Sequence, residues 1–372
     1  MNETISNKQG VSLLVLFTIA GNLIFGISAE AKKDAWLALI LGFVITIPIL
    51  WIYSKLLSLL PGKNIYELCL TAFGKITGAF VSLFFIWFSL HLGALVLFDF
   101  NVYINVVGLI YTPELVISIM ILTLCIAAGK YGVRILGRWG DFFFKIVFLL
   151  IIFVPLLSVQ NMKIQNILPV LQGGIKPVLS AAVSAYSFPF GETIIFMPIM
   201  AMLQDKKSYF KVYLAGSLIG ALFLLIITFT NILVLGAYAL SINYFPTYIT
   251  VSLIAIGDFF QRIQILVSIL FLLCGFVEIT ICLISASKGL SKIFNLKDYK
   301  FFLTPCALLI INLSYIVFNN DIESTRFMPG FDHYYKIFIT ALLPFLVLIA
   351  AKYKLKKGKK LSSKEPSKTS DS

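Results

Sequence analysis

"SFPFGE", residues 187–192, interrupts an apolar stretch that runs from about Lys176 to Leu203. Proline removes a backbone donor and clashes with the preceding turn, and glycine tolerates conformations that a helix does not use, so the hexapeptide predicts a broken helix. At 1.5 Å per residue Glu192 falls roughly 22 Å into a span beginning near residue 177, close to mid-membrane. An ionisable group there costs on the order of 3 kcal/mol or more unless it is paired or wetted, so the break is expected to line a cavity. If the second half-helix starts near Gly191, the carboxylate would also suit its N-terminus.

The rest of the chain agrees with a membrane setting. Of 372 residues, 59% are apolar and 13% charged, with a mean hydropathy of +0.97, outside the range of soluble domains. The apolar runs are near-continuous over about 20 residues, which favours helices over the alternating strands of a barrel. Ten spans are expected: 11–29, 35–59, 76–106, 114–129, 140–159, 177–203, 210–240, 249–287, 301–318 and 334–352. The first reads as a span and not as a signal peptide, because it is long for such a segment and holds internal glycines.

Basic residues alternate between loops. On the side of the N-terminus fall 23 of the 30 Lys and Arg, eight of them between Lys352 and Lys368; Lys32, Lys33, Lys163, Lys176, Arg262, Arg326 and Lys336 fall opposite. The positive-inside rule puts both termini in the cytoplasm. The net charge of +13 is thus a topology signal in contact with the lipid bilayer, and nucleic acid is not an expected partner. Cys69, Cys125, Cys274, Cys282 and Cys306 show no paired spacing and there are two histidines, so no metal site and no cofactor are expected. Nor does a soluble domain or nucleophile–base pair suggest an enzyme, and no catalytic residue is named.

Ten spans divide into two sets of five, and the first member of each is interrupted: "AGNLIFG" (20–26) in span one, "SFPFGE" in span six. Matching breaks point to an inverted-repeat transporter architecture with its site at the breaks. The repeats would cover about 11–159 and 177–352, one transmembrane domain over 1–352, with a basic, disordered cytoplasmic tail at 353–372. Spans three and eight, corresponding members, are the longest of the ten, which supports the division.

Two facing breaks expose amides at one end and carbonyls at the other, a pattern that matches a zwitterion. A carboxylate would take amides at Gly21 and Asn22, and an ammonium would take unwound carbonyls with Glu192. Phe88 and Leu92 of span three and Glu278 and Cys282 of span eight lie at mid-membrane spacing and would close the pocket. Asp99 and Asn101 are expected to reach water at the outer end of span three. His91 suits packing or ligand contact equally. Asp141 and Lys145, four apart, suggest an ion pair.

"AEAKKDAWLALILGF" (29–43), "TPELV" (112–116), "SFPFGETIIFMP" (187–198) and "KGLSKIFNL" (288–296) together resemble the B subunits of spore germination receptors, over nearly the whole chain. The resemblance implies an all-α, LeuT-like 5+5 inverted repeat of the amino acid–polyamine–organocation superfamily, with helices 1 and 6 broken. It implies a germinant sensor in the inner membrane of the spore, binding a small molecule such as an amino acid and working with a channel-forming A subunit and a C-subunit lipoprotein. The pocket it implies uses Gly21, Phe88, Leu92, the break from Phe188 through Pro189 and Gly191 to Glu192, and Glu278 and Cys282. A carboxylate at 278 stands where an alanine sensor would carry a smaller polar residue, which admits a ligand with an extra donor or a cation. The competing expectations are a secondary amino-acid transporter, proton-coupled through Glu192, and a scaffold without a ligand.

Overall fold

Ser6 caps the first helix: its hydroxyl accepts from the Gln9 amide at 3.2 Å while the Gln9 side chain accepts from the Ser6 amide at 3.0 Å, satisfying donors that a helix start leaves free. This helix, α1 (Asn7–Ile19), is buried along its length from Ser12 onward and packs against later spans on all sides. The structure is a computed structural model and describes residues 3–254, 263–317 and 331–362.

After the first break come α2 (Ala35–Leu59), α3 (Ile65–Phe73), α4 (Lys75–Val107), α5 (Glu114–Tyr131) and α6 (Val133–Ser158). The second half holds α7 (Ile175–Ala185), the second break, α8 (Met197–Met200), α9 (Tyr209–Ile242), α10 (Pro246–Ser252), α11 (Gln264–Ile293), α12 (Leu303–Val317), α13 (Phe331–Ile337) and α14 (Leu343–Ser362). Among the described residues nine helical stretches are long and apolar enough to cross a membrane. With the broken first span they make the ten expected crossings.

The core is built by α11 lying along α4, α1 against α9 and α6, and α2 against α7 and α9. Small residues permit these approaches. A Cβ at Gly42 would stand 2.7 Å from the Ala185 methyl and 2.9 Å from the Ala182 carbonyl oxygen, so α2 and α7 touch backbone to backbone. The turn between α5 and α6 needs a left-handed residue, supplied by Gly132 at φ +92°, and the Glu3 carboxylate fills the space its side chain would occupy.

The N-terminal segment closes the face on which it lies. Ile5 pairs with the chain after α8, its amide donating to the Met202 carbonyl at 3.1 Å and its carbonyl accepting from Gln204 at 3.0 Å. The Glu3 carboxylate accepts from the Tyr299 hydroxyl at 3.1 Å and the Val133 amide at 3.4 Å, and lies 3.6 Å from Lys300 Nζ. Asp141 belongs to this closure: it pairs with Lys8 at 3.2 Å and accepts from Ser12 at 3.2 Å. The expected Asp141–Lys145 pair is therefore replaced by contacts to α1, which lies closer than the next turn of the same helix.

Span eight also differs from expectation. The run 249–287 joins two elements, the end of α10, which Pro246 opens, and α11; residues 255–262 lie outside the described set. Hydropathy continues through a short helix as well as through a span, so the apparent length misled. Among the described residues of the second half the longest helical stretch is α9, 34 residues with a kink at Gly236, so the length argument for the repeat falls away while the two breaks remain. The final helix runs to Ser362, past the expected start of the tail; residues 363–372, Arg262 and Arg326 lie outside the described residues. All five cysteines are free and buried.

Candidate functional site

Both predicted breaks exist and they meet. After α1 the chain tightens into a 3-10 turn, Gly21–Leu23, where the amides of Ile24 and Phe25 both point to the Gly21 carbonyl at 3.5 Å. In the other break Phe188 leaves helical geometry at φ −144°, ψ 112°, and Pro189 follows it. The Phe188 ring comes to 3.4 Å from where a Gly21 Cβ would stand, so the absence of a side chain at 21 lets the two breaks face one another.

A cavity of about 360 Å³ lies at this junction, walled by Gly21, Leu92, Asp99, Phe188, Glu192 and Lys336 among others. Its wall reaches the exposed residues Glu30 and Ser241, on the side away from the closed N-terminal face. Glu192 sits on the turn Gly191–Phe196, and its Oε1 is 3.1 Å from Lys336 Nζ, with side chains 1% and 4% exposed. The Lys336 ammonium also lies 5.3 Å from the centre of the Phe188 ring, a cation–π distance.

Lys336 is held there by the neighbouring turn. Tyr186 and Thr340 share a hydroxyl–hydroxyl bond of 2.8 Å, and Tyr53 donates to the Thr340 carbonyl at 2.5 Å and to that of Gly191 at 3.4 Å. These bonds dock the turn Phe338–Leu342 onto the second break and bring α13, with Lys336 in its last turn, over Glu192. Sequence reading placed Lys336 in a loop as a topology residue; the structure buries it as the partner of Glu192.

Of the expected site residues, Gly21, Leu92, Phe188 and Glu192 line the cavity. The other six are buried and do not line it. Asn22 donates from its amide to the Thr18 carbonyl at 3.1 Å, leaving its buried Oδ1 without a hydrogen-bond partner. Phe88 packs edge-on to Tyr335 at 6.0 Å. Pro189 and Gly191 form the break itself, and the Cys282 Cβ lies 3.3 Å from where a Gly93 Cβ would be. The Glu278 carboxylate is 2% exposed, with its Oε2 lacking a hydrogen-bond partner among the described residues.

Besides Lys336, sequence reading misplaced Asp99 and Asn101 and missed His333. Asp99 lines the cavity and does not merely reach bulk water. Asn101 turns inward, 1% exposed, and exchanges hydrogen bonds of 2.8 and 3.1 Å with Ser118. His333 meets the Ser184 hydroxyl at 2.9 Å in the cavity wall. The one signal for Asp99 was its place two turns from Leu92 on α4, a face that periodicity alone does not orient. His91 stacks on Trp87 at 6.0 Å and edges Tyr335 at 5.7 Å.

Comparison with known proteins agrees with this architecture. A family model described as "Spore germination protein" matches residues 4–322. The chain is 25% identical over 372 residues to spore germination protein KB of Bacillus subtilis (strain 168), covering 98% of this chain and 99% of that one. It is 29% identical over 369 residues to the putative spore germination protein YfkT of the same organism, covering 97% and 99%. Among solved structures it superposes on the nucleobase-cation-symport-1 family transporter Mhp1, described as closed with bromovinylhydantoin bound, with a TM-score of 0.65 at 12% identity over 96% and 94% of the two chains. That similarity concerns the fold alone, the helical transporter fold with breaks in its first and sixth spans. Matched over most of its length, the chain belongs to the spore germination protein family, as an all-α polytopic membrane protein.

Proposed function

We propose that this chain is the germinant-sensing membrane subunit of a spore germination receptor. A small nutrient, with an amino acid as the leading candidate, enters the cavity between the two broken helices, and its binding shifts the equilibrium between conformations that partner A and C subunits read. The observation that carries this reading is the cavity of about 360 Å³ at the facing breaks, a volume suited to a small metabolite. Family membership supports it, since the relatives are named for germination. The basic loops favour cytoplasmic termini, and the spore inner membrane is the location that the family suggests. The signal needs only that the ligand bind one conformation better than another.

A second reading is a secondary amino-acid transporter, with proton coupling through Glu192. The observation that favours it is the closure of the N-terminal face by a handful of contacts at Glu3 and Ile5, which one rearrangement would release. Two measurements on the purified full-length chain separate the readings. Thermal stabilisation by amino acids, sugars and nucleosides reports binding, and uptake into sealed vesicles reports transport. The sensor reading expects stabilisation by one compound without sustained uptake; gradient-driven accumulation of that compound would overturn it.

A further inference from the structure

The flank of the bundle formed by α5, α6 and α11, with Phe100 of α4, carries a groove of about 590 Å³, within the range of pockets that take small molecules. Its wall is apolar. The only lining side chains with an N–H or O–H are Tyr131 and Trp139, and both stand at one end, Tyr131 closing α5 and Trp139 in the second turn of α6. From Met120 to Tyr131 the groove follows α5 for roughly 16 Å at 1.5 Å per residue. It is a long hydrocarbon slot whose polar atoms gather where Glu3 meets Val133, on the N-terminal face.

Cations gather at that same end. Lys130, Arg134 and Arg138 are exposed, and none makes a hydrogen bond or ion pair among the described residues. Arg134 and Arg138 each precede a residue of the groove wall, Ile135 and Trp139, and at a spacing of four they share one face of α6 beside it. Arg134 is the second residue of α6, where a cation opposes the helix dipole, so its own helix gives no reason for it. The carboxylates of this face are engaged elsewhere: Glu3 with Tyr299, Val133 and Lys300, Asp141 with Lys8 and Ser12.

A lipid and a partner's transmembrane helix could each cover such a slot, and the wall favours the lipid. Helices associate in membranes through small residues that let backbones approach; here Met120, Leu124, Tyr131 and Trp139 are bulky and exposed, and a flexible acyl chain threads between them more readily than a helix. The 26 residues of α6 span about 39 Å against a hydrocarbon core of about 30 Å. One end therefore emerges at the level of the headgroups, and the arginines and Trp139 mark which.

We propose that this groove is a binding site for an anionic phospholipid, whose acyl chain lies in the slot between α5, α6 and α11 and whose phosphate meets Lys130, Arg134 and Arg138. It shares no lining residue with the cavity between the breaks, and it stands whatever that cavity binds.

Dioleoyl phosphatidylglycerol and dioleoyl phosphatidylcholine test this, because they carry the same chains and differ in net charge. Each is titrated in mixed micelles against the purified full-length chain, with thermal stabilisation as the readout and glycerol 3-phosphate as the headgroup alone. Phosphatidylglycerol is expected to bind about tenfold or more tighter than phosphatidylcholine, and the double variant Arg134→Gln, Arg138→Gln to lose that preference. Equal affinity for the two lipids, or a preference that survives in the folded double variant, overturns the proposal. Stabilisation by glycerol 3-phosphate equal to that by phosphatidylglycerol overturns it in favour of free phosphate. The place is read on the unsubstituted protein: phosphatidylglycerol with a diazirine at the end of one acyl chain is expected to label α5 and α11 inside the groove, at residues such as Leu124 and Leu273. Labelling spread evenly over the exposed helices overturns the lipid site and leaves the slot to a partner's helix. The lipid ratio and the labelling decide the matter even if the double variant does not fold.

Discussion

Lys336 Nζ stands 3.1 Å from Glu192 Oε1 across 144 residues of chain, joining the start of the last span to the second broken helix. Removing one member of such a pair strands the other charge in the interior. Glu192→Gln and Lys336→Met are each expected to destabilise the protein by about 3 kcal/mol or more, and the double variant to lose much less than the sum. Melting temperatures of the four proteins in one detergent check this; additive losses would mean that the two charges do not depend on one another.

The contact between α2 and α7 gives a second expectation. Gly42→Ala sets a methyl group against the Ala182 carbonyl oxygen at 2.9 Å, an atom that cannot rotate away. The cost should be about 1–3 kcal/mol, typical of overpacking. Ala185→Gly in the same chain should relieve only the methyl clash and recover part of the loss, as thermal unfolding of the single and double variants would reveal.

A third concerns the closed face. Glu3 holds Tyr299, Val133 and Lys300 together, two residues before the Ile5 pairing. Glu3→Ala should loosen that pairing, so the amides of Ile5 and Gln204 should exchange with deuterium faster than in the parent, while amides within α11 keep their protection. Unchanged exchange at both positions would show that the Ile5 pairing stands without Glu3.

A fourth is a pH dependence outside the spans. The Ser208 hydroxyl, and after it the Lys207 amide, hold the Asp205 carboxyl below the usual carboxylate range. A depressed acid stabilises its loop above the unfolded value, near pH 4, and that contribution fades as pH falls through the lower folded value. Protection of the Lys207 amide, which donates to Asp205 at 3.0 Å, should therefore persist at neutral pH and decline below about pH 4. In Asp205→Asn the decline should vanish.

The two breaks were legible because proline and glycine act locally: "SFPFGE" and "AGNLIFG" carry their effect within a turn of themselves. The buried carboxylate at 192 was legible for the same reason, as its cost depends on depth alone. Its partner was not. Lys336 sits near an end of a hydrophobic run, where a lysine ordinarily reaches toward water, and only the docking of Thr340 on Tyr53 and Tyr186 turns it inward. Asp99 was misplaced because a long, uniformly apolar helix such as α4 has no polar face to give its orientation. Hydropathy likewise merged α10 with α11, since a short helix lying beside spans has their composition.

The burial of Cys69, Cys125, Cys274, Cys282 and Cys306 reaches beyond packing. Thiols enclosed by apolar neighbours react slowly with water-borne reagents, so the molecule offers a quiet background for a single introduced reporter. A cysteine placed at the exposed Ser241, on the rim of the cavity, would be labelled almost alone, and a fluorophore there would sense occupancy of the cavity below it without any native residue being removed.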